Sequence, residues 1–370
     1  MKINIQGCGP AGLSAAIVLA ENGIDVKVFE KQNQVGGLLK HDVQAIRNYG
    51  KYDIDILKKF EESRIKIDNL NEIYRIEKYS PDLKHDVIFS NKKPLFFTVK
   101  RGISEYSLEK QLYEKALDSG AEIIVGNNLP TTQANIIASG SKFKPSGTLY
   151  GIIFESKDIE LDTIKFFLLY EKGHNGYAYI APYSDTEITF AITSFRNEDF
   201  SNLKVKLENL INHNQIINKL IKNKKIIHRY GGHGHFNIPE TAIYNNKLLV
   251  GGAAGFVEAA RGFGLKYAIL SGYLAAKSII LDENYDQLWK KEFEQELING
   301  FYRKLIFEKL SKKDLNDMIK GGEEIPINQY EKIGQSKNNF EIAKAIAKFN
   351  LIEWRKKFNP KNIYEVEVQN

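Results

Sequence analysis

The residues best suited to chemistry stand at the start of the chain, in Gly7-Cys8-Gly9-Pro10-Ala11-Gly12. Glycines at this spacing let a backbone close on a pyrophosphate. Gly7 makes the tight turn, Gly9 permits close approach, and Gly12 lets the following helix pack on a sheet. The helix N-terminus, opening at Pro10 and Ala11, offers free N–H groups after the proline to phosphate oxygens. Glu30, followed by Lys31, closes the next apolar run, where a carboxylate accepts hydrogen bonds from a ribose. A second glycine-rich stretch, Gly251-Gly252-Ala253-Ala254-Gly255, leads through Gly262 and Gly264 to Leu265.

These groups need elements to hold them. Residues 2–6 predict a strand, Pro10–Asn22 a helix and residues 24–29 a second strand, forming a βαβ unit. Gly36-Gly37 and Leu38 then read equally as a plain turn or as a close backbone approach to a cofactor. A helix is expected near Tyr52–Ser63, and strands at residues 86–89 and 95–99. A helix over Ser104–Ser119 stops at Gly120. Strands follow at residues 121–126 and 134–140, the latter ending at Gly140. Residues 148–196 alternate like antiparallel strands. One or two helices cover 203–223, a strand returns at 247–250, and a long helix spans Phe263–Leu281. The remainder, 284–370, reads as mostly helical.

The fold class expected is α/β. A doubly wound Rossmann-type domain assembles from residues 1–50, 98–140 and 240–282. An antiparallel β-sheet substrate domain comes from 51–97 and 141–239, and a helical C-terminal region from 283–370.

The chain has 370 residues, 43% of them hydrophobic, enough for a sizeable core. Its single cysteine excludes an internal disulfide framework and fits a reducing cytoplasm. The net charge of +6 gives no nucleic-acid signature, though a mildly basic surface suits an acidic redox partner or an anionic membrane. No apolar run reaches the roughly 18–20 residues of a spanning helix. Residue 2 already begins a core strand, so no secretory leader is expected.

Cys8 reads as a small buried filler inside the phosphate turn. His228, His233 and His235 lack the companions of a metal set, so no metal is expected and a loop is the reading for that region. The basic amphipathic stretch with Ile346, Leu351, Ile352 and Trp354 reads as a helix packing on the core, with membrane contact the alternative.

Three segments together resemble the flavoprotein superfamily that includes para-hydroxybenzoate hydroxylase and the geranylgeranyl reductases. They are the N-terminal fingerprint, then Arg101 followed by a helix and Gly120-Ala121-Glu122, similar to the family's Arg-x-x-x-x-x-x-Leu pattern, and the stretch from Leu248 to Gly272. The last is similar to the family's Gly-Asp-Ala-Ala-Gly signature and the glycine-rich helix start after it. Tyr177-Ala178-Tyr179-Ile180-Ala181-Pro182 is similar to the Tyr-x-Trp-x-Phe-Pro motif of the geranylgeranyl reductase branch, with Tyr for Trp and Ala for Phe. Alternation puts Tyr177, Tyr179 and Ala181 on one face. Both tyrosines also read as ordinary core aromatics. The family Asp that holds the flavin ribityl chain is Gly252 here, and Ala259 stands where many relatives have Pro.

The resemblance implies FAD as resident cofactor. A flavin needs a phosphate turn at one end and a helix N-terminus beneath its pyrimidine at the other, which stabilises the anionic reduced form. The implied contacts are Gly7, Gly9, Pro10, Ala11, Gly12, Glu30, Lys31, Gly37, Leu38, Arg101, Gly140, Gly252, Gly262, Gly264 and Leu265. Tyr177 and Tyr179 are the implied catalytic pair, with Tyr177 the suggested proton donor. The implied activity is saturation of C=C bonds in an isoprenoid lipid, by hydride transfer from reduced flavin N5. The alternatives are an FAD-dependent monooxygenase using NAD(P)H and dioxygen, and a non-catalytic relative with a degraded flavin site. The implied partners are an apolar small-molecule or lipid substrate and a transient NAD(P)H or ferredoxin-like donor. The implied location is cytoplasmic, with peripheral membrane contact left open.

Overall fold

The computed structural model describes residues 1–39, 42–48, 55–157, 160–171, 175–320, 351 and 355. The N-terminal apolar runs form the centre of a six-stranded sheet. Its order is Ile243–Tyr244, Lys247–Leu249, Ile136–Ile137, Lys2–Gln6, Asp25–Glu30 and Glu122–Val125. All neighbours are parallel except the Ile243–Tyr244/Lys247–Leu249 hairpin. The chain leaves Lys2–Gln6 for one neighbour first and reaches the other, Ile136–Ile137, only much later. The direction of winding therefore reverses between these two strands, and a crevice opens beyond their carboxyl ends.

Helix Pro10–Glu21 packs on this sheet, with buried residues from Pro10 through Leu19. It crosses the long helix Leu265–Leu281 at very close range. A Cβ on Gly272 would lie 2.1 Å from the Ala11 carbonyl oxygen. Helix Leu108–Asp118 covers the sheet as well, its start capped by the Ser107 hydroxyl.

The second sheet has seven strands, in the order Ile226–Gly234, Gly147–Glu155, Glu187–Ser194, Gly176–Pro182, Thr163–Leu169, Arg75–Tyr79 and Asp86–Ser90. It is antiparallel apart from the Thr163–Leu169/Arg75–Tyr79 pair. Helices Phe200–His213 and Gln215–Ile221 pack on one face through Leu203, Leu207, Ile217 and Ile221. A small sheet of Val43–Arg47, Phe96–Lys100 and Asn71–Ile73 sits beside it. The Thr98 hydroxyl donates to the Pro182 carbonyl at 3.0 Å and joins the two.

Helices run on from Tyr285 to Ile319, with a π-helical stretch at Lys290–Glu294. Trp289 and Phe293 bury against Phe256. Asn175, fully buried, donates to the carbonyls of Phe307 and Leu310 and ties this region to the large sheet.

Several expectations need correction. The histidine region is a nine-residue edge strand, Ile226–Gly234, rather than a loop. His228 and His233 lie within it, and the His233 ring packs at a tilt against Phe200. The strand expected at 134–140 shortens to Ile136–Ile137, because residues 138–140 turn away at the crevice. The long helix starts at Leu265, with Phe263 outside it and ring-packed on Phe96. Of the C-terminal stretch, Leu351 is buried in the main core and Arg355 pairs with Glu294 at 2.8 Å. Ile346, Ile352 and Trp354 lie outside the described residues, as does Tyr52.

Gly272→Val should cost about 3 kcal/mol, since the helix crossing cannot admit a side chain. Urea unfolding measures the loss, and a variant as stable as wild type would contradict the crossing.

Candidate active site

Gly7 takes a left-handed backbone, with φ of 101°. A Cβ there would meet the Ala138 carbonyl oxygen at 2.4 Å. A Cβ on Gly12 would meet the Gly7 carbonyl oxygen at 2.1 Å. The first turn, the first helix and the Ala138–Gly140 turn are therefore packed backbone to backbone. Gly252 joins them, with Ser141 N and Gly140 within 3.5 Å of its missing Cβ position. Gly9, Gly140 and Gly262 face open space, where an added Cβ would touch nothing within 4 Å.

Two long helices end on this region. No side chain caps helix Pro10–Glu21 at Gly9, and none caps helix Leu265–Leu281 at Gly264. Free N–H groups and the positive end of each helix dipole therefore remain for an anionic or strongly accepting ligand. Ser139 adds a buried hydroxyl with no hydrogen-bond partner among the described residues. Open glycine turns, two uncapped helix ends and an orphaned hydroxyl form a cradle that fits a dinucleotide.

Glu30 stands at its edge. Its carboxylate accepts the Cys8 N–H at 3.0 Å and the Gln32 N–H at 2.9 Å. These bonds fix the acid while each oxygen keeps a lone pair for a ribose hydroxyl. Burial, and then Glu30, push the Cys8 thiol above its ordinary range, so it stays a neutral filler. Lys31 and Leu38 are exposed, Leu38 by 75%. A Cβ on Gly36 would lie 2.1 Å from the Gly102 carbonyl oxygen, so the glycine loop rests directly on the segment after Arg101. The atoms nearest to a Cβ on Gly37 belong to its own loop, at Gln34 and Gln32.

Arg101 is buried. Its guanidinium pairs with Glu109 and bonds Gln44, while Glu109 also accepts the Gly102 N–H at 3.0 Å. Its charge is thus already matched within the protein, at the foot of the glycine loop. The backbone N–H of Arg101 donates to the Asp42 carbonyl at 2.8 Å. The Asp42 side chain accepts from Gln44 Nε2 at 2.7 Å. Burial pushes Asp42 up to about 6, against the opposing pull of Arg101.

Tyr177 and Tyr179 share one face of strand Gly176–Pro182, with Phe166 alongside both. The Tyr177 hydroxyl donates to the Arg261 carbonyl at 2.6 Å, just before Gly262. This bond brings the aromatic face to the start of the long helix. Burial, with Tyr179 and Glu258 as lesser causes, raises Tyr177 well above its ordinary range. Tyr179 is raised too, by burial first and then by the nearby Tyr230 and Asp42. Tyr230 bonds Thr189 Oγ1 at 2.5 Å.

Beneath the long helix start, Lys266 pairs with Glu296, which also meets Arg47 and the Tyr267 hydroxyl. Burial and Arg47 lower Lys266 to about 8, so Glu296 is what keeps it charged at neutral pH. Among the described residues, no three His, Cys, Asp or Glu side chains are grouped as metal ligands, and no helix is long and apolar enough to cross a membrane.

Sequence reading missed Asp42, Gln44, Glu109, Ser139 and Tyr230. Only Glu109 carried a local signal, as an acid in the first turn of a helix close behind Arg101.

Fold and site together define the class by architecture. This is the two-part fold of FAD-dependent oxidoreductases, a Rossmann-type domain interleaved with an antiparallel sheet. A family model described as an NAD(P)-binding Rossmann-like domain matches residues 5–57. The chain is similar to the digeranylgeranylglycerophospholipid reductase of Methanosarcina acetivorans, at 22% identity over 94% of this chain and 92% of that protein. An uncharacterised protein of Methanocaldococcus jannaschii is 30% identical over 44% of this chain, a match spanning 46% of its own length. A solved geranylgeranyl bacteriochlorophyll reductase-like protein of Thermoplasma acidophilum superposes with a TM-score of 0.71 at 18% identity, over 94% and 95% of the two chains.

The raised Asp42 value sets a pH dependence. Its folded-state value lies above the ordinary 3.8, so its contribution to stability is present below pH 4 and lost as pH rises through about 6. Asp42→Asn should therefore gain on the order of 2 kcal/mol over wild type between those limits. Denaturant melts across that range measure it, and a pH-independent difference would refute the assignment.

Proposed function

We propose that this protein is an FAD-dependent oxidoreductase that saturates C=C bonds of an isoprenoid lipid. The observation carrying the reading is the crevice at the sheet's switch point. There two uncapped helix N-termini meet a glycine-lined cradle, and an aromatic face closes over the second of them. Similarity to a lipid reductase along nearly the whole chain supports the substrate class.

When bound, FAD supplies the hydride and its two electrons. The chain's own residues do the rest. Gly7, Gly9, Gly12 and the first helix would hold the pyrophosphate, with Glu30 at the adenosine ribose. Gly262, Gly264 and Leu265 would present N–H groups to the flavin pyrimidine, where the helix dipole favours negative charge. Arg101 would act at one remove, by fixing the loop through Gly102 and Gly36. Tyr177, Tyr179 and Phe166 would form the apolar wall that positions the alkene and excludes water. Leu38, Ile103 and Tyr106 are exposed around the Gly36–Gly102 contact and suit the approach of a lipid or a membrane surface. Electrons would come from a transient donor, either NAD(P)H or a ferredoxin-like protein.

Gly252 is the informative departure. Its φ is ordinary, and the nearest atom to an added Cβ is Ser141 N at 3.3 Å. Gly252→Asp should restore an acceptor for the ribityl chain and tighten FAD about tenfold, the worth of one good hydrogen bond. Flavin fluorescence quenching reads the change, and an unchanged or weaker affinity would separate this site from its relatives.

The test of function starts with the visible spectrum after incubation with FAD. Flavin bands that bleach with dithionite are expected. Anaerobic incubation of the reduced protein with a geranylgeranyl lipid should then add a pair of hydrogens per double bond by mass spectrometry. Failure to take up FAD would end the reading. Dioxygen uptake coupled to a hydroxylated product would replace it with a monooxygenase.

A further inference from the structure

No side chain caps the long helix at Gly264, so the N–H groups offered to the flavin pyrimidine must be held in place by the loop before them. Resting on the flavin reading above, we propose that Glu258 is the positioning residue for this helix start, and that through it Glu258 sets the reduction potential of the bound flavin.

One residue closes the loop. Glu258 Oε2 accepts the Arg261 N–H at 2.9 Å. The Glu258 N–H donates to the Phe263 carbonyl at 2.9 Å, and its own carbonyl accepts the Gly262 N–H at 2.8 Å. These three bonds define the path from 258 to 263, which turns through Gly262 with φ of 76°. Both parts of the site rest on that path. The Tyr177 hydroxyl donates to the Arg261 carbonyl at 2.6 Å, and the Phe263 ring packs on Phe96. A Cβ on Gly264 would lie 3.2 Å from Val257 Cγ2, so the helix start sits against the residue just before Glu258. The aromatic wall and the helix N-terminus therefore share one support.

The carboxylate is also wedged from behind. Glu258 is 1% exposed. Its second oxygen, Oε1, has no hydrogen-bond partner among the described residues, and its ion pair with Arg261 is long, at 4.0 Å. Gly300, buried on helix Gln295–Lys309, lies against it. A Cβ there would meet Glu258 Oε1 at 2.5 Å and Cγ at 2.7 Å. A carboxylate so placed costs more desolvation than a long ion pair returns. Its grip on the Arg261 N–H is the compensating contact, and Gly300 leaves it no room to swing out of that bond.

Reduction puts negative charge on the flavin pyrimidine, which the helix dipole favours only within its first turn. A displaced helix start therefore weakens the hold on reduced flavin and barely alters the oxidised form. The pyrophosphate and ribose depend on the first helix and Glu30 instead.

The experiment compares midpoint potentials of FAD-loaded variants, by equilibration with reference dyes. Glu258→Ala should bind oxidised FAD as wild type does. It should bind reduced FAD about tenfold more weakly, a potential about 30 mV more negative for a two-electron couple. Glu258→Gln keeps an oxygen acceptor for the Arg261 N–H and removes a buried negative charge, so its potential should stay at or above wild type. General loosening of the fold would move both variants alike and weaken both redox forms equally. Gly300→Ala should push the carboxylate off the Arg261 N–H and lower the potential as Glu258→Ala does. If Glu258→Ala does not fold, Gly300→Ala against Glu258→Gln makes the same comparison. Urea melts of the flavin-free protein check the contact itself. Gly300→Ala should lower the midpoint in wild type and do so less in Glu258→Ala, where the space is free. A wild-type potential in Glu258→Ala, an equal fall in Glu258→Gln, or a Gly300→Ala cost that is the same in both backgrounds overturns this proposal alone. A wild type that takes up no FAD overturns it together with the flavin reading.

Discussion

The contact of backbone on backbone at the first turn is the constraint on which the structure rests. Ala138 O sits where Gly7 would carry a Cβ, and Gly7 O sits where Gly12 would. Ala11 O occupies the same place relative to Gly272. These contacts bring the central strand, its helix, the Ala138–Gly140 turn and the long helix closer than side chains allow. At these points the walls of the crevice are main chain. Everything that would serve a cofactor follows from that approach, including the two free helix ends and the open faces of Gly9 and Gly140.

The second organising feature is where the structure places its buried charge. Arg101 with Glu109, and Lys266 with Glu296 and Arg47, both lie under segments that border the crevice. Each pair costs desolvation that its partner largely offsets, and each fixes a loop or helix start in one position. Asp42 differs, because no cation is paired to it alone. Its surroundings disfavour the ionised form strongly enough to raise it to about 6.

Much of this was legible in the sequence where a local pattern reported a local constraint. Glycine spacing announced the turn, and apolar periodicity announced the helices at Pro10–Glu21, Leu108–Asp118 and Leu265–Leu281. Alternation announced the strands between Gly147 and Ser194. The strand Ile226–Gly234 escaped because it lies at a sheet edge, carries polar residues outward and is interrupted by Gly231-Gly232. Asp42 escaped for a different reason. An acid just before a short strand has no pattern of its own, and its setting comes from burial and from Arg101 and Glu109, far along the chain. Arg101 was picked out by its motif, yet only the structure gives its partners, Glu109 and Gln44.

The strand order of the parallel sheet also bears on how the chain comes off the ribosome. Lys2–Gln6 is made first, yet its neighbour on one side is Ile136–Ile137, which in turn waits for Lys247–Leu249. At the usual pace of translation the opening strand stands without its full complement for on the order of tens of seconds. Through that interval its apolar edge is open to chaperones and to other nascent chains, so production of this protein is expected to be most sensitive to conditions during synthesis.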